Sequence, residues 1–134
     1  MITTGGLGPT IDDMTREGIA QAVNKDLVFQ EVLWEQITRR FERFGRKPTE
    51  NNRRQAYAPE GAILIENPRG TAPVFIINED EFSILTLPGV PREMEYLFEN
   101  IMLPFIKKNY PTMHSAGQIP LTNSLRSRPD LKNN

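Results

Sequence analysis

Twice in this chain a run of strand-forming residues stops at glycine and gives way, within a few residues, to a helix start. The first junction reads Ile2-Thr3-Thr4-Gly5-Gly6-Leu7-Gly8-Pro9-Thr10-Ile11-Asp12-Asp13, and the second reads Leu87-Pro88-Gly89-Val90-Pro91-Arg92-Glu93. Strand–glycine–helix junctions punctuate α/β domains, and where the strands run parallel both junctions open on one crevice beyond the strands' carboxyl ends, where such folds bind ligands. At each junction free backbone N–H groups and the helix dipole favour an anion. Glycine lets the backbone adopt positive φ and approach a phosphate closely. The first loop is neither the dinucleotide fingerprint nor a Walker A loop, because the spacing differs and no Gly-Lys-Ser/Thr follows.

Asp12 and Asp13 sharpen the chemistry. One of them can serve as the helix N-cap. A pair of carboxylates beside a phosphate-sized loop would repel a phosphate unless a cation lay between them, and magnesium is held by one or two carboxylates plus phosphate oxygens. Asp12 and Asp13 are therefore the candidate catalytic and metal-binding residues, with a divalent metal such as Mg as cofactor. Gly5, Gly6, Gly8 and Thr10 are candidate phosphate-binding residues. Gly70 and Thr71, from a third glycine turn over Asn67 to Pro73, join them, as do Gly89, Pro91 and Glu93. Each has a structural reading beside the functional one: a tight turn, a connector, a proline at the first helical position, an acid in the first helical turn. Arg53, Arg54 and Gln55 offer donors for a phosphate or a base, or form a solvated helix face. His114 reads as an idle surface histidine.

The elements follow from periodicity. Ile2 to Thr4 is the end of a strand. A helix capped by Asp13 or Thr15 carries Met14, Ile19, Ala20 and Val23 and ends near Asn24. Leu33, Trp34, Ile37, Phe41 and Phe44 recur at spacings of three and four, which predicts a helix with one buried stripe and Gly45 as its C′ residue. By the same spacing Trp34 and the phenylalanines are core. A short helix capped by Thr49 stops before Pro59. Strand-like runs follow at Ala62 to Ile65, Pro73 to Ile77 and Phe82 to Leu87, the last two joined by a polar connection of hairpin length, Asn78 to Glu81. A final helix starts at Pro91 with Met94, Leu97, Phe98, Ile101 and Phe105 on one face, and Pro104 must kink or restart it. The domain is expected to span 1–110. From Pro111 to Asn134 apolar periodicity is lost, and a disordered tail is expected.

Composition narrows the partners. With 134 residues the chain supports one core. Sixteen basic against 17 acidic residues, a net charge of −1, give no electrostatic reason for a nucleic-acid or membrane partner. No cysteine is present, which excludes thiolate catalysis, disulfides and cysteine-based zinc sites. No apolar run reaches the length of a membrane span, so the expected location is cytoplasmic.

Four motifs in this order, Thr3 to Thr15, Asn51 to Ala62, Asn67 to Pro73 and Leu87 to Met94, resemble the N-terminal domain of the CinA (competence-damage-inducible) family, within the wider group of MogA/MoaB-like molybdopterin-binding folds. The resemblance covers Ile2 to about Lys108. It implies a three-layer α/β/α domain with a mainly parallel sheet, MoaB/Mog-like, here lacking the first strands and helices of the family. It also implies that Gly5, Gly6 and Gly8 cradle a ligand, that Asp13 is functionally important, and that Gly89, Pro91 and Glu93 form the second ligand loop. The implied activity is metal-dependent pyrophosphate hydrolysis of ADP-ribose-type nucleotides, of which this chain would carry a fragment. The alternatives are a module that binds a nucleotide or a pterin phosphate without hydrolysing it, and an inactive truncated product. Because a parallel sheet needs both faces covered, a chain without the earlier strands is expected to be marginally stable, to aggregate or to rely on a partner chain, a homo-oligomer included.

Overall fold

The computed structural model describes residues 1–111. Its main sheet has four strands in the order β1 (Ile2–Thr4), β6 (Ser83–Leu87), β5 (Val74–Asn78), β4 (Ile63–Ile65). β1 and β6 are parallel, with Ile2 opposite Leu85 and Thr4 opposite Leu87. β5 and β6 are antiparallel, as are β4 and β5. The α/β class and the MoaB/Mog-like fold stand, but among the described residues the sheet is mixed rather than mainly parallel. The physical reason is local: the polar connection Asn78 to Glu81 is too short for a crossover, so it closes a hairpin, with Glu79 N–H donating to Phe82 O at 2.9 Å.

The two central strands are buried on both faces. Successive side chains of a strand point to opposite sides, yet Val74 to Ile77 and every residue of β6 are buried. The sheet is thus covered on each side, as a three-layer arrangement requires. Its outer strands are more open, Ile2 being 46% and Ile63 41% exposed. Thr86 seals the centre. Its hydroxyl accepts from Phe75 N–H (2.9 Å) and donates to Phe75 O (2.7 Å), so no backbone polar group of that residue is left unpaired in the core.

The helices show their sequence logic. α1 (Thr15–Ala22) and α2 (Glu31–Arg43) each end in a Schellman motif. In α2, Gly45 is the C′ residue at φ +67°, with Gly45 N–H to Glu42 O and Arg46 N–H to Phe41 O. In α1 the same place is taken by Asn24 at φ +54°, with Asn24 N–H to Gln21 O and Lys25 N–H to Ala20 O. Neither Asp13 nor Thr15 caps α1: Met14 precedes it with no side-chain cap. A capping box of Thr49 and Asn52 starts a 3₁₀ segment, Glu50–Ala56. α3 (Pro91–Leu97) and α4 (Leu103–Asn109) are joined by a π-type stretch, Phe98–Met102, ahead of Pro104 in the first turn of α4. The helix is restarted there, because proline has no N–H to donate and its ring crowds the preceding turn.

Two departures stand out. A second sheet pairs β2 (Leu27–Phe29) with β3 (Tyr57–Pro59), antiparallel, where no strand was expected, and the helix expected to run up to Pro59 ends at Ala56. Phe44 is 68% exposed and Phe82 is exposed as well, so these phenylalanines are not core. Phe44 instead lies beneath Arg40, whose guanidinium carbon is 5.7 Å from the ring centroid. The 111–134 tail and His114 fall outside the described residues, apart from Pro111.

Candidate functional site: a glycine crevice at the ends of two parallel strands

Because β1 and β6 are parallel neighbours in register, the loops that follow them leave the sheet at the same end. Gly5 N–H donates to Leu87 O at 2.8 Å and extends the pairing into the loops. Gly5 and Gly89 then pass so closely that a Cβ on Gly89 would lie 3.4 Å from Gly5 Cα. Gly5 and Gly6 take φ of +81° and +71°, the left-handed region that side chains resist. Between these loops lies a crevice of about 330 Å³. Gly5, Gly6, Gly8 and Asp13 line it from the first loop, Gly89 and Glu93 from the second, and Thr71 from the third glycine turn.

The start of α1 is tied to the first loop. Thr15 Oγ1 donates to Gly5 O (2.8 Å), and Thr15 N–H to Gly6 O (3.2 Å). Asp13 has a job other than capping. Its Oδ2 accepts from Thr10 N–H (2.9 Å) and from Thr10 Oγ1 (2.6 Å), closing the loop on itself. A Cβ at Gly8 would fall 2.7 Å from that oxygen, so glycine is needed where the carboxylate folds back. The Thr10 hydroxyl bond, helped by the backbone N–H groups of Thr10 and Gly8 and by the charge of Arg16, outweighs desolvation and holds the Asp13 carboxyl below its ordinary pKa. Asp13 is therefore ionised at neutral pH.

Beneath the loop lies a residue that the sequence reading did not single out. Arg16 is 2% exposed and donates from Nη2 to Leu7 O and from Nη1 to Gly8 O (3.3 Å). Burial lowers its pKa to about 10, still charged at neutral pH. The signal was present: Arg16, Ile19, Ala20 and Val23 share the i, i+3, i+4, i+7 phase of the buried stripe of α1, so an arginine there must point inward. Gln55 also reaches the loop. It is buried, lines the crevice, accepts from Asn52 Nδ2 (3.1 Å) and has Nε2 3.4 Å from Leu7 O.

On the opposite wall, Glu93 Oε1 accepts from Asn67 Nδ2 at 2.8 Å, and Asn67 also bonds Ala72 O (3.0 Å). Gly70 packs against this carboxylate, since a Cβ there would overlap Glu93 Oε1. The remaining candidates lie around the crevice rather than in it. Asp12 is exposed and is not among the lining residues; Thr10 acts through Asp13; Pro91 is the first residue of α3. Arg53 stacks over Phe29 and Trp34, at 4.8 and 5.3 Å from their ring centroids, and Arg54 pairs with Glu17 at 3.3 Å. Both therefore point away from ligand chemistry. Among the described residues no group of three or more His, Cys, Asp or Glu side chains converges as a metal site. A cation here would rest on Asp13 and on oxygens of its ligand. No helix among the described residues is long and apolar enough to cross a membrane.

Comparison with known proteins agrees with this arrangement. The family model described as "Probable molybdopterin binding domain" matches residues 1–108. Proteins that carry the name competence-damage inducible protein are 48% identical in Clostridium botulinum (strain 657 / Type Ba4) and 50% in Halothermothrix orenii, each over 108 residues. Each alignment takes in 81% of this chain and 26% of the relative, so the chain spans about a quarter of the length of the curated relatives it matches. The crystal structure of CinA, of unknown function, from Thermoplasma acidophilum superposes with a TM-score of 0.68 at 38% identity, covering 77% of this chain and 60% of that one.

Proposed function

This chain is a molybdopterin-binding-like domain of the CinA family, and from that premise we propose that the glycine crevice holds the phosphate end of a nucleotide or pterin ligand, with an ADP-ribose-type pyrophosphate as the preferred form. The observation that carries the proposal is the pairing of two glycine loops at the ends of parallel strands, which puts Gly5, Gly6, Gly8 and Gly89 on the lining of one cavity. Backbone N–H groups of the two loops would neutralise phosphate charge. Arg16 fixes Leu7 and Gly8 from below and contributes a positive charge at neutral pH. Asp13 and Glu93 set the opposite sign in the same cavity.

That opposition is the argument for a cation. Two carboxylates and a phosphate attract one another only through an intervening positive charge, and Asp13 uses Oδ2 for Thr10 while Oδ1 takes part in neither of those bonds. When bound, a divalent ion such as magnesium would supply Lewis acidity toward the phosphoryl oxygens. Asp13 would hold it, Glu93 is the other carboxylate lining the crevice, and Thr10 holds the Asp13 carboxylate in orientation. Hydrolysis of the pyrophosphate at this crevice is the first reading. Binding without hydrolysis is the second reading, favoured by the lack of a converging carboxylate cluster among the described residues.

Incubation with ADP-ribose and magnesium, with AMP release as readout, separates the two readings. Release that is lost in Asp13→Asn supports hydrolysis at this crevice. Equal release from the variant overturns it, and saturable binding with no release selects the binding module.

A further inference from the structure

We propose that the face of α2 opposite the third glycine turn forms a second anion site, built to take one phosphoryl group, on the other side of the 66–73 loop from the glycine crevice. Gln36, Arg39, Arg40 and Arg43 stand at i, i+3, i+4 and i+7, so they share one face of the helix. With Asn67, Pro68, Gly70 and Thr71 across from them they enclose a cavity of about 100 Å³. That is too small for an organic ligand, whose pockets start at roughly 300 Å³, and of a size for a single oxyanion.

The charge on this face is uncompensated. Neither Arg39, Arg40 nor Arg43 has a carboxylate within ion-pairing distance among the described residues, where the ion pairs are Arg53–Glu50 and Arg54–Glu17. Glu66 is the one acid lining the cavity and is exposed. Like charges at these spacings destabilise a helix. The helix dipole favours cations in the last turn, which accounts for the sign at Arg40 and Arg43. It does not account for their convergence with Arg39 on one enclosed volume.

Arg40 supplies the second, independent observation. Its Nη1 donates to Pro68 O at 2.8 Å and its guanidinium rests on the Phe44 ring, so the group is held in place. Its Nε is nevertheless buried with no hydrogen-bond partner. A buried donor left unpaired is costly in a native fold, and an anion in the cavity would satisfy it by drawing the guanidinium toward itself. The planar fork of arginine matches a phosphoryl group, with Arg39 and Arg43 as flanking donors. Thr71 lines both this cavity and the glycine crevice, so an anion here would brace the wall that carries Asn67 and Gly70 against Glu93.

The site is tested on the 134-residue chain with inorganic phosphate as probe, at low ionic strength, following backbone amides and arginine Nε–H signals by NMR. Saturable shifts are expected at Gly70, Thr71 and Arg40 Nε. Charge-assisted bonds to phosphate lose about tenfold in affinity per guanidinium removed, so Arg39→Gln/Arg43→Gln, which removes two, should weaken binding about a hundredfold. The two single variants, measured alongside, should each lose part of it. Affinity within twofold of the parent in all three variants would overturn the proposal, as would shifts confined to Gly5, Gly6 and Gly8.

Discussion

Gly6→Ala isolates the strained turn on which the crevice depends. At φ +71° an alanine pays about 1–2 kcal/mol for left-handed backbone. Its Cβ would lie 2.0 Å from Thr15 Oγ1, 3.0 Å from Thr15 Cβ and 3.3 Å from Thr15 N. The hydroxyl can rotate away only by giving up its bond to Gly5 O, a loss of about 1 kcal/mol. The backbone nitrogen cannot move without shifting the start of α1. The sum is about 2–3 kcal/mol at the least, or about 10 °C in melting temperature for a domain of this size. Chemical denaturation monitored by circular dichroism measures it. Gly18→Ala is the control, because Gly18 lies inside α1 with nothing within 4 Å of its would-be Cβ. That change should stabilise by about 1 kcal/mol. If Gly6→Ala costs no more than about 0.5 kcal/mol, near the limit for neutral surface changes, then the loop is not braced by α1 and the reading of a preformed crevice is wrong.

Further outcomes follow from the same contacts. Asp13→Asn should lose about 1 kcal/mol near neutral pH; since the Asp13 pKa is depressed in the folded state, its contribution is present above the unfolded value near 3.8 and vanishes as pH falls through the lower folded value, so parent and variant should converge in acid. Arg16 shifts in the same direction, but as a burial penalty on its charged form that high pH relieves. Its folded pKa of about 10 lies below its ordinary value, so native protein releases this proton first, and urea titrations from pH 9 to 11 should show the parent gaining stability relative to Arg16→Met as pH rises. Gly70→Ala should displace Glu93 from Asn67, because the new Cβ overlaps Glu93 Oε1; the loss is about 1 kcal/mol in stability, with hydrogen exchange quickened at Asn67 to Ala72.

The junctions were legible because their chemistry is local. Gly45, Pro91, the Thr49 capping box and the Asn78 to Glu81 hairpin each act within a few residues, and each is where the sequence puts it. The crevice was legible for a different reason: two glycine loops on parallel strands can only meet at one end of the sheet. For the remaining strands the sequence carried two conflicting signals: family resemblance implied a mainly parallel sheet, while the short hairpin between β5 and β6 dictates an antiparallel pair, and the hairpin decides. β2 and β3 escaped notice because each has three residues and gains its partner from a distant segment, which no local period reports. Asp13 read as a cap, since aspartate before a helix usually is one. Its two bonds to Thr10 show that the carboxylate instead folds back on the loop. Arg16 was concealed by its charge; only its phase on the helix shows that it points inward.

The proposed function requires that Gly5, Gly6, Gly8 and Gly89 surround a phosphate. The most direct test is a backbone amide NMR titration of this chain with ADP-ribose, with and without magnesium. Saturable shifts led by those four glycines and by Thr71 are expected, strengthened by magnesium and weakened in Asp13→Asn. Binding that leaves these amides unmoved, or that is indifferent to both magnesium and Asp13, would contradict the proposal.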